Sequence, residues 1–333
     1  MLYRNILLHN VSEIAEEEKG LLITRLPESL RVTLNKSALL ASRASAGCEM
    51  RFNLLSRQAD ITLCCEGGSG GIAEVYQGSF LTAFHFIGNT PSAFTVSRHA
   101  NVEALKTLSR KMNLPFDSAL TRVVLPYHVV RIIDIRGEFS PPEPYQLPGL
   151  NFLAYGSSIT HGSMSFNPSS TYIMRTAAKL GVNLFNLGFG GGAHYENQMA
   201  DYIAGRNDWD FASFEIGINM IGSFDVEEFR KRVEYFLGKV VEKHPGKYIF
   251  CIDIFSFYRD IAGSDTDKHE RFRKVVRKAV KKINSEKVIH LDGRKLLKDP
   301  TGLGSDLLHP ASSGMEEIAV NLSREIGKKI RKA

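Results

Sequence analysis

Leu150-Asn151-Phe152-Leu153-Ala154-Tyr155-Gly156-Ser157-Ser158-Ile159-Thr160-His161-Gly162 is the stretch whose reading decides the fold. The apolar run through Tyr155 has the length and composition of a buried strand, and Gly156-Ser157-Ser158 turns the chain at its end. Asn167-Pro168-Ser169-Ser170 then opens a helical pattern. A serine at the carboxyl end of such a strand is well placed for chemistry, because open α/β sheets bind their ligands outside the carboxyl ends of the strands.

Working outward, strands and helices alternate. Strands are expected over 151–155, 183–187, 211–216, 248–254 and 288–291, and helices over 170–180, 196–204, 226–243, 268–283 and 315–329. In the longest of the inner helices, Val226, Phe229, Val233, Phe236, Leu237, Val240 and Val241 make one apolar face, and Asp225 is a good N-cap. Right-handed crossovers turn this alternation into a parallel sheet between helix layers. Five strands suit a flavodoxin-like, doubly wound α/β order.

The first half reads differently. Short strands, clearest at 21–25, 50–54, 60–64, 73–76, 93–96 and 127–135, alternate apolar and polar residues as half-buried antiparallel strands do. They point to an all-β sandwich of jelly-roll type, with one helix over 102–112. The loop Glu66-Gly67-Gly68-Ser69-Gly70-Gly71 lacks the Lys-Ser/Thr and helix of a phosphate cradle, so a hairpin loop is expected. Four prolines in Ser140–Gly149 exclude a central strand or helix interior and mark a linker. Two domains follow, 1–146 and 147–333.

The predicted strand ends collect a specific set of side chains. Ser158 follows the first strand, Gly191 the second, Asn219 the third, and Asp306 with His309 the fifth. A serine hydroxyl is a weak nucleophile until a base takes its proton. His309 is the candidate base, and Asp306 could accept from its other ring nitrogen and hold the tautomer. Backbone N–H groups of Ser158 and Gly191, with the Asn219 amide, could bind an oxyanion. Singly, each residue also reads as a cap, a turn or a structural group; together, at successive strand ends, they are the parts of an acyl-transfer site. Gly188–Ala193 matches a dinucleotide fingerprint only superficially: its acid, Asp208, precedes the next strand instead of ending it. No Gly-x-Ser-x-Gly elbow surrounds Ser158, which argues against an ordinary α/β-hydrolase.

These blocks resemble the SGNH (GDSL-type) hydrolase superfamily over about residues 150–330. Gly156-Ser157-Ser158-Ile159-Thr160, Asn186–Gly191, Gly217-Ile218-Asn219 and Asp306-Leu307-Leu308-His309-Pro310 match its four blocks in order. The resemblance implies Ser158 as nucleophile, His309 and Asp306 as the rest of the triad, and Ser158, Gly191 and Asn219 as oxyanion donors. Ser157 and Met220 replace aspartates usual in the family. They resemble a subgroup with an N-terminal β-sandwich, similar to carbohydrate esterases that remove acetyl groups. A serine esterase acting on short-chain acyl esters, with an acetylated carbohydrate as substrate, is the expectation. A lipase, thioesterase or acyltransferase on the same triad is the alternative, and a non-catalytic carbohydrate-binding protein is the alternative of another class. His161, His194, Tyr195, Phe257 and Tyr258 are expected near the same edge and could line the substrate pocket.

The whole chain fits this reading. An apolar fraction of 43% and charged fraction of 23% are those of an ordinary globular protein. The net charge of +6 is spread along the chain, without basic patches interleaved with aromatics, so no nucleic-acid partner is expected. The run Lys328-Lys329-Ile330-Arg331-Lys332 suits the end of a helix dipole. No signal peptide is visible and no apolar run nears the roughly 20 residues of a spanning helix, so no membrane partner and a cytoplasmic location are expected. Cys48, Cys64, Cys65 and Cys251 lack ligand spacing and read as free, buried thiols; neither metal nor cofactor is called for. Homo-oligomer formation and the role of the sandwich stay open.

Overall fold

The computed structural model describes residues 1–263 and 267–330. Arg331 and Lys332 of the basic run lie outside the described residues. The second half is a five-stranded parallel sheet, Asn151–Gly156, Asn183–Gly188, Phe211–Glu215, Tyr248–Ile252 and Val288–Leu291, in the order 2-1-3-4-5. This is the flavodoxin-like order, with the strand that leads to Ser158 between strands two and three.

The period-two alternation of Asn151–Gly156 explains why helices are needed on both sides. Phe152 and Ala154 enter one core with Ile173, Ala177, Ile318 and Leu322, under helices Tyr172–Leu180 and Ser312–Ile330. Leu153 and Tyr155 enter the other with Met199, Ile203, Phe236 and Phe272, under helices Asn197–Gly205, Val226–Lys243 and Lys268–Ile283. The apolar stripe of Val226–Lys243 buries Phe229, Val233, Phe236, Leu237 and Val240, and Asp225 caps it by accepting from the Glu228 N–H at 2.8 Å.

The first half holds two antiparallel sheets of seven and five strands that enclose one apolar core. Two expectations change. The Glu66–Gly71 loop is not a hairpin: Gln58–Glu66 belongs to the five-stranded sheet and Gly71–Gln77 to the seven-stranded one, so the loop crosses between sheets. Its glycines serve that crossing, three of them having positive φ. Besides the expected helix, Val102–Met112, short helices form at Glu28–Arg31 and Lys36–Ala41, where the sequence suggests none.

The Pro-rich segment is pinned, not loose. Gln146 is buried and exchanges two side-chain hydrogen bonds with Asn53, at 2.8 and 2.9 Å. The face between the halves is unusually polar. Glu74 accepts from Asn167 Nδ2 and from the Ser169 N–H and hydroxyl, and Arg51 donates to Asn183 Oδ1 at 2.7 Å. Burial and the Arg51 charge push His9 down to about 3, so its neutral ring donates Nε2–H to Leu184 O.

Arg25 is the most committed of these groups. Arg25 is 1% exposed and, among the described residues, pairs with no carboxylate; its guanidinium donates to the carbonyls of Ala41, Ala44, Asn186 and Gly188. Burial lowers its pKa to about 10, which leaves it charged at neutral pH. Removing it takes a donor from four carbonyls across the joint between the halves; Ala41 O keeps the Ala44 N–H and Asn186 O keeps Asn10 Nδ2, whereas Ala44 O and Gly188 O lose their side-chain donor. Arg25→Ala is expected to lower folding stability by about 2–4 kcal/mol, read as a shift in the urea unfolding midpoint.

Candidate active site

The end of the first strand is shaped by one glycine. A Cβ on Gly156 would come within 2.7 Å of Glu215 Oε2 and still closer to Thr160 Oγ1, so only glycine lets the chain turn there. Ser157 then caps the single-turn helix Ser158–His161, its hydroxyl accepting from the Ile159 N–H at 3.1 Å. Ser158 stands at the first position of that turn, partly exposed.

The fifth strand leads to the loop that carries Asp306 and His309. Ser158 Oγ lies 2.6 Å from His309 Nε2, and His309 Nδ1 lies 2.6 Å from Asp306 Oδ2. With a carboxylate on Nδ1, the ring carries its proton there and offers Nε2 as acceptor for the serine O–H. Asp306 Oδ1 accepts from the backbone N–H of Leu308 and of His309, both at 3.0 Å. Partial burial pushes the Asp306 carboxyl up, but the bonds from the His309 ring and the two backbone donors outweigh it and hold the group below its ordinary range. Leu307, between the two, takes a left-handed φ of 54°, and its carbonyl is held by the Tyr258 N–H at 2.8 Å.

The second strand runs into Phe189-Gly190-Gly191-Gly192. Gly191 has φ 69° and is exposed. His161, one turn past Ser158, secures this loop: its Nδ1 accepts from the Gly190 N–H at 3.3 Å and its Nε2 donates to Tyr127 O at 2.9 Å. Burial, with the nearby Arg25 charge, pushes its pKa down to about 3, so the ring is neutral and both nitrogens are committed. Asn219 sits in the turn Ile218–Met220 after the third strand. Its Oδ1 accepts from the Ala193 N–H at 3.2 Å, and among the described residues no acceptor takes its Nδ2. Among the described residues no acceptor takes the Ser158 or Gly191 N–H.

Of the remaining candidates, His194 is half-buried beside this loop, edge-on to Phe224. Tyr258 is 40% exposed next to Leu307. Tyr195 and Phe257 are corrected: both belong to the hydrophobic core, at 0% and 4% exposure. Tyr195 packs on Tyr155 and Phe236 and donates its hydroxyl to Glu215 O at 2.9 Å. A sequence places a residue near a sheet edge but does not say which way it turns; the left-handed φ of 54° at Tyr195 aims its ring inward.

Sequence reasoning missed two groups. One is Glu215, buried beneath the Ser157–Thr160 turn. The other is the segment Asn35–Ser37 of the β half. Asn35 Nδ2 donates to Gly192 O at 2.9 Å, and a Cβ on Gly191 would lie 3.7 Å from Ser37 Oγ. The only trace of Glu215 in the sequence is a charge in the otherwise uncharged run 211–216; Asn35–Ser37 carries no local signal at all. Among the described residues, Asp260, His269 and Glu270 alone cluster as metal ligands would, and Arg273 already pairs with both carboxylates, at 2.7 and 2.6 Å.

Comparison with known proteins agrees with this architecture. A family model described as the GDSL-like lipase/acylhydrolase family matches residues 151–327. No curated protein sequence matches the chain. Among solved structures, the fold is similar to a salicylyl-acyltransferase, SsfX3, from a tetracycline biosynthetic pathway, at 18% identity, covering 97% of this chain and 94% of that one with TM-score 0.80. It is similar to a family two carbohydrate esterase from Cellvibrio japonicus, at 12% identity, 98% and 95% coverage and TM-score 0.64. An acetyl xylan esterase from the rumen bacterium Butyrivibrio proteoclasticus matches at 13% identity, 99% and 97% coverage and TM-score 0.59. All span both halves, so the pairing of a β domain with this sheet is a shared fold. With more than half of its length inside the family match, the chain belongs to the GDSL-like lipase/acylhydrolase family and is an ester-hydrolysing enzyme.

Proposed function

We propose that the chain hydrolyses short-chain acyl esters through Ser158, His309 and Asp306, and that its substrate is an acetylated carbohydrate. The observation that carries the catalytic part is the unbroken relay from Ser158 Oγ to His309 and Asp306, each link 2.6 Å. Ser158 Oγ attacks the ester carbonyl carbon while Nε2 of His309 takes the hydroxyl proton. The carbonyl oxygen becomes an oxyanion facing the Ser158 and Gly191 N–H groups and the Asn219 amide. Collapse expels the alcohol, which leaves with the proton from His309. Water then repeats the sequence on the acyl-serine and releases the acid. Asp306 stays ionised throughout and stabilises the imidazolium.

Asn219→Ala removes one oxyanion donor. It is expected to lower kcat about 10²–10³-fold on 4-nitrophenyl acetate with little change in KM, because the donor acts on charge that develops only in the transition state.

The carbohydrate part rests on the shared two-domain fold. One local observation favours a second reading, an ester with an apolar alcohol or acyl group: Met164, Phe166, Tyr258 and Leu307, in or touching the loops that carry the triad, are 50%, 78%, 40% and 48% exposed. Met164 reaches the Gly304 turn whose N–H donates to His309 O. Comparing kcat/KM for acetylated xylosides with that for hexyl acetate and for longer acyl chains separates the two. Preference for the sugar acetate supports the carbohydrate reading, and a preference that grows with apolar length overturns it.

A further inference from the structure

Glu215 ends the middle strand of the parallel sheet and is 1% exposed. Its Oε2 accepts from the Ser157 N–H at 2.7 Å and from the Thr160 hydroxyl at 3.2 Å. Thr160 in turn accepts from the Tyr172 hydroxyl at 2.8 Å, and its carbonyl accepts from Asn186 Nδ2 at 3.0 Å. Ser157 and Thr160 flank Ser158 on either side, so one carboxyl oxygen ties both ends of the turn that presents the nucleophile. The Tyr195 hydroxyl holds the backbone carbonyl of Glu215 itself. Gly156 provides the space: its missing Cβ is where the carboxyl sits.

We propose that Glu215 is a positioning residue for the ester chemistry, fixing the Ser157–Thr160 turn so that Ser158 Oγ is held in line with His309. It touches neither substrate nor reacting atoms. The inference rests on Ser158 being the nucleophile. It also explains what Ser157 does: the side chain caps the turn and the backbone N–H binds Glu215.

The surroundings favour the neutral carboxyl. Among the described residues Oε1 has no hydrogen-bond partner, and the hydroxyls of Tyr155, Tyr172 and Tyr195, which burial keeps uncharged, lie close enough to feel the Glu215 charge. Burial raises its pKa to about 7, against the opposing pull of the Ser157 and Thr160 hydrogen bonds. The folded pKa lies above the unfolded one, so the contribution of Glu215 to stability is full below about 4.5 and is lost as pH rises through about 7.

The test compares the wild type with Glu215→Ala, Glu215→Gln and Ser158→Ala on 4-nitrophenyl acetate, well below each unfolding midpoint. Glu215→Ala is expected to lower kcat about 10–100-fold with KM within about threefold, since misplacing a nucleophile by a fraction of an ångström acts on the chemical step. Glu215→Gln keeps the size and the acceptor oxygen and is expected to restore kcat to within about threefold of wild type. Its unfolding midpoint should fall less than the wild type's between about pH 5 and pH 8, because it has no proton to lose. If Glu215→Ala does not fold, Glu215→Asp, one methylene too short to reach Ser157, replaces it with the same expected loss of kcat. Wild-type kcat in the folded alanine or aspartate variant overturns the inference, as does a glutamine variant as slow as alanine. Full activity of Ser158→Ala would instead overturn the catalytic reading on which it rests, whatever the Glu215 variants do.

Discussion

Ser158→Ala is expected to lower kcat by about 10⁴–10⁶-fold on a simple acetyl ester while the unfolding midpoint stays within about 2 °C of wild type. The size follows from the geometry. Among the described residues, Ser158 Oγ is the one hydroxyl hydrogen-bonded to His309 Nε2, so no neighbouring hydroxyl is placed to take over the attack. Among the described residues Oγ makes no hydrogen bond other than that to His309, so its loss costs the fold little. KM should change far less than kcat, because the oxyanion donors and the loops of the rim are untouched. A residual rate well above that of water is still expected, since the Ser158, Gly191 and Asn219 donors can stabilise attack by solvent. The measurement is kcat and KM on 4-nitrophenyl acetate, with circular dichroism melts on the same preparations.

Asp306→Asn is expected to cost about 10³–10⁴ in kcat although only one atom is exchanged. Asp306 Oδ1 already accepts two backbone N–H groups. An asparagine there keeps its oxygen on those donors and turns its NH₂ towards His309 Nδ1. The ring must then offer a lone pair at Nδ1 and carry its proton on Nε2, where it can no longer accept from Ser158. The backbone of the loop is preserved, so the loss belongs to the tautomer. Stability supplies an independent check of the sign. The folded pKa of Asp306 lies below the ordinary value of 3.8, so its contribution is present above that value and disappears as pH falls through the folded one. The difference in midpoint between wild type and Asp306→Asn should therefore shrink in acid and be full near neutrality.

The alternation of strand and helix after residue 150 was enough to place all five parallel strands and their order, because the first four strands are almost wholly buried and each inner helix carries one apolar face. Ser158, Gly191, Asn219, Asp306 and His309 are brought to one sheet edge because each follows a strand that the pattern made visible. The β half was less legible. Strands such as Phe80–Ile87 keep Phe84 and Phe86 exposed at 69% and 65%, so the alternation of apolar and polar residues that marks a strand is absent. The crossing at Glu66–Gly71 reads locally like any glycine-rich hairpin, since nothing in a loop states which sheet its next strand joins. Side-chain direction was likewise hidden, and Tyr195 and Phe257 turned inward. Glu215 and Asn35–Ser37 act on the site through tertiary contacts alone. Glu215 lies some sixty residues from the turn it holds, and Asn35 about 160 residues from the loop it caps.

The most direct test of Ser158 as the nucleophile is covalent labelling with a fluorophosphonate, followed by intact-mass and peptide mass spectrometry. One adduct per chain is expected on wild type, mapped to Ser158. The adduct should be absent from Ser158→Ala and form far more slowly in His309→Ala. Equal labelling of Ser158→Ala, or no adduct on folded wild-type protein that still hydrolyses esters, would contradict the assignment.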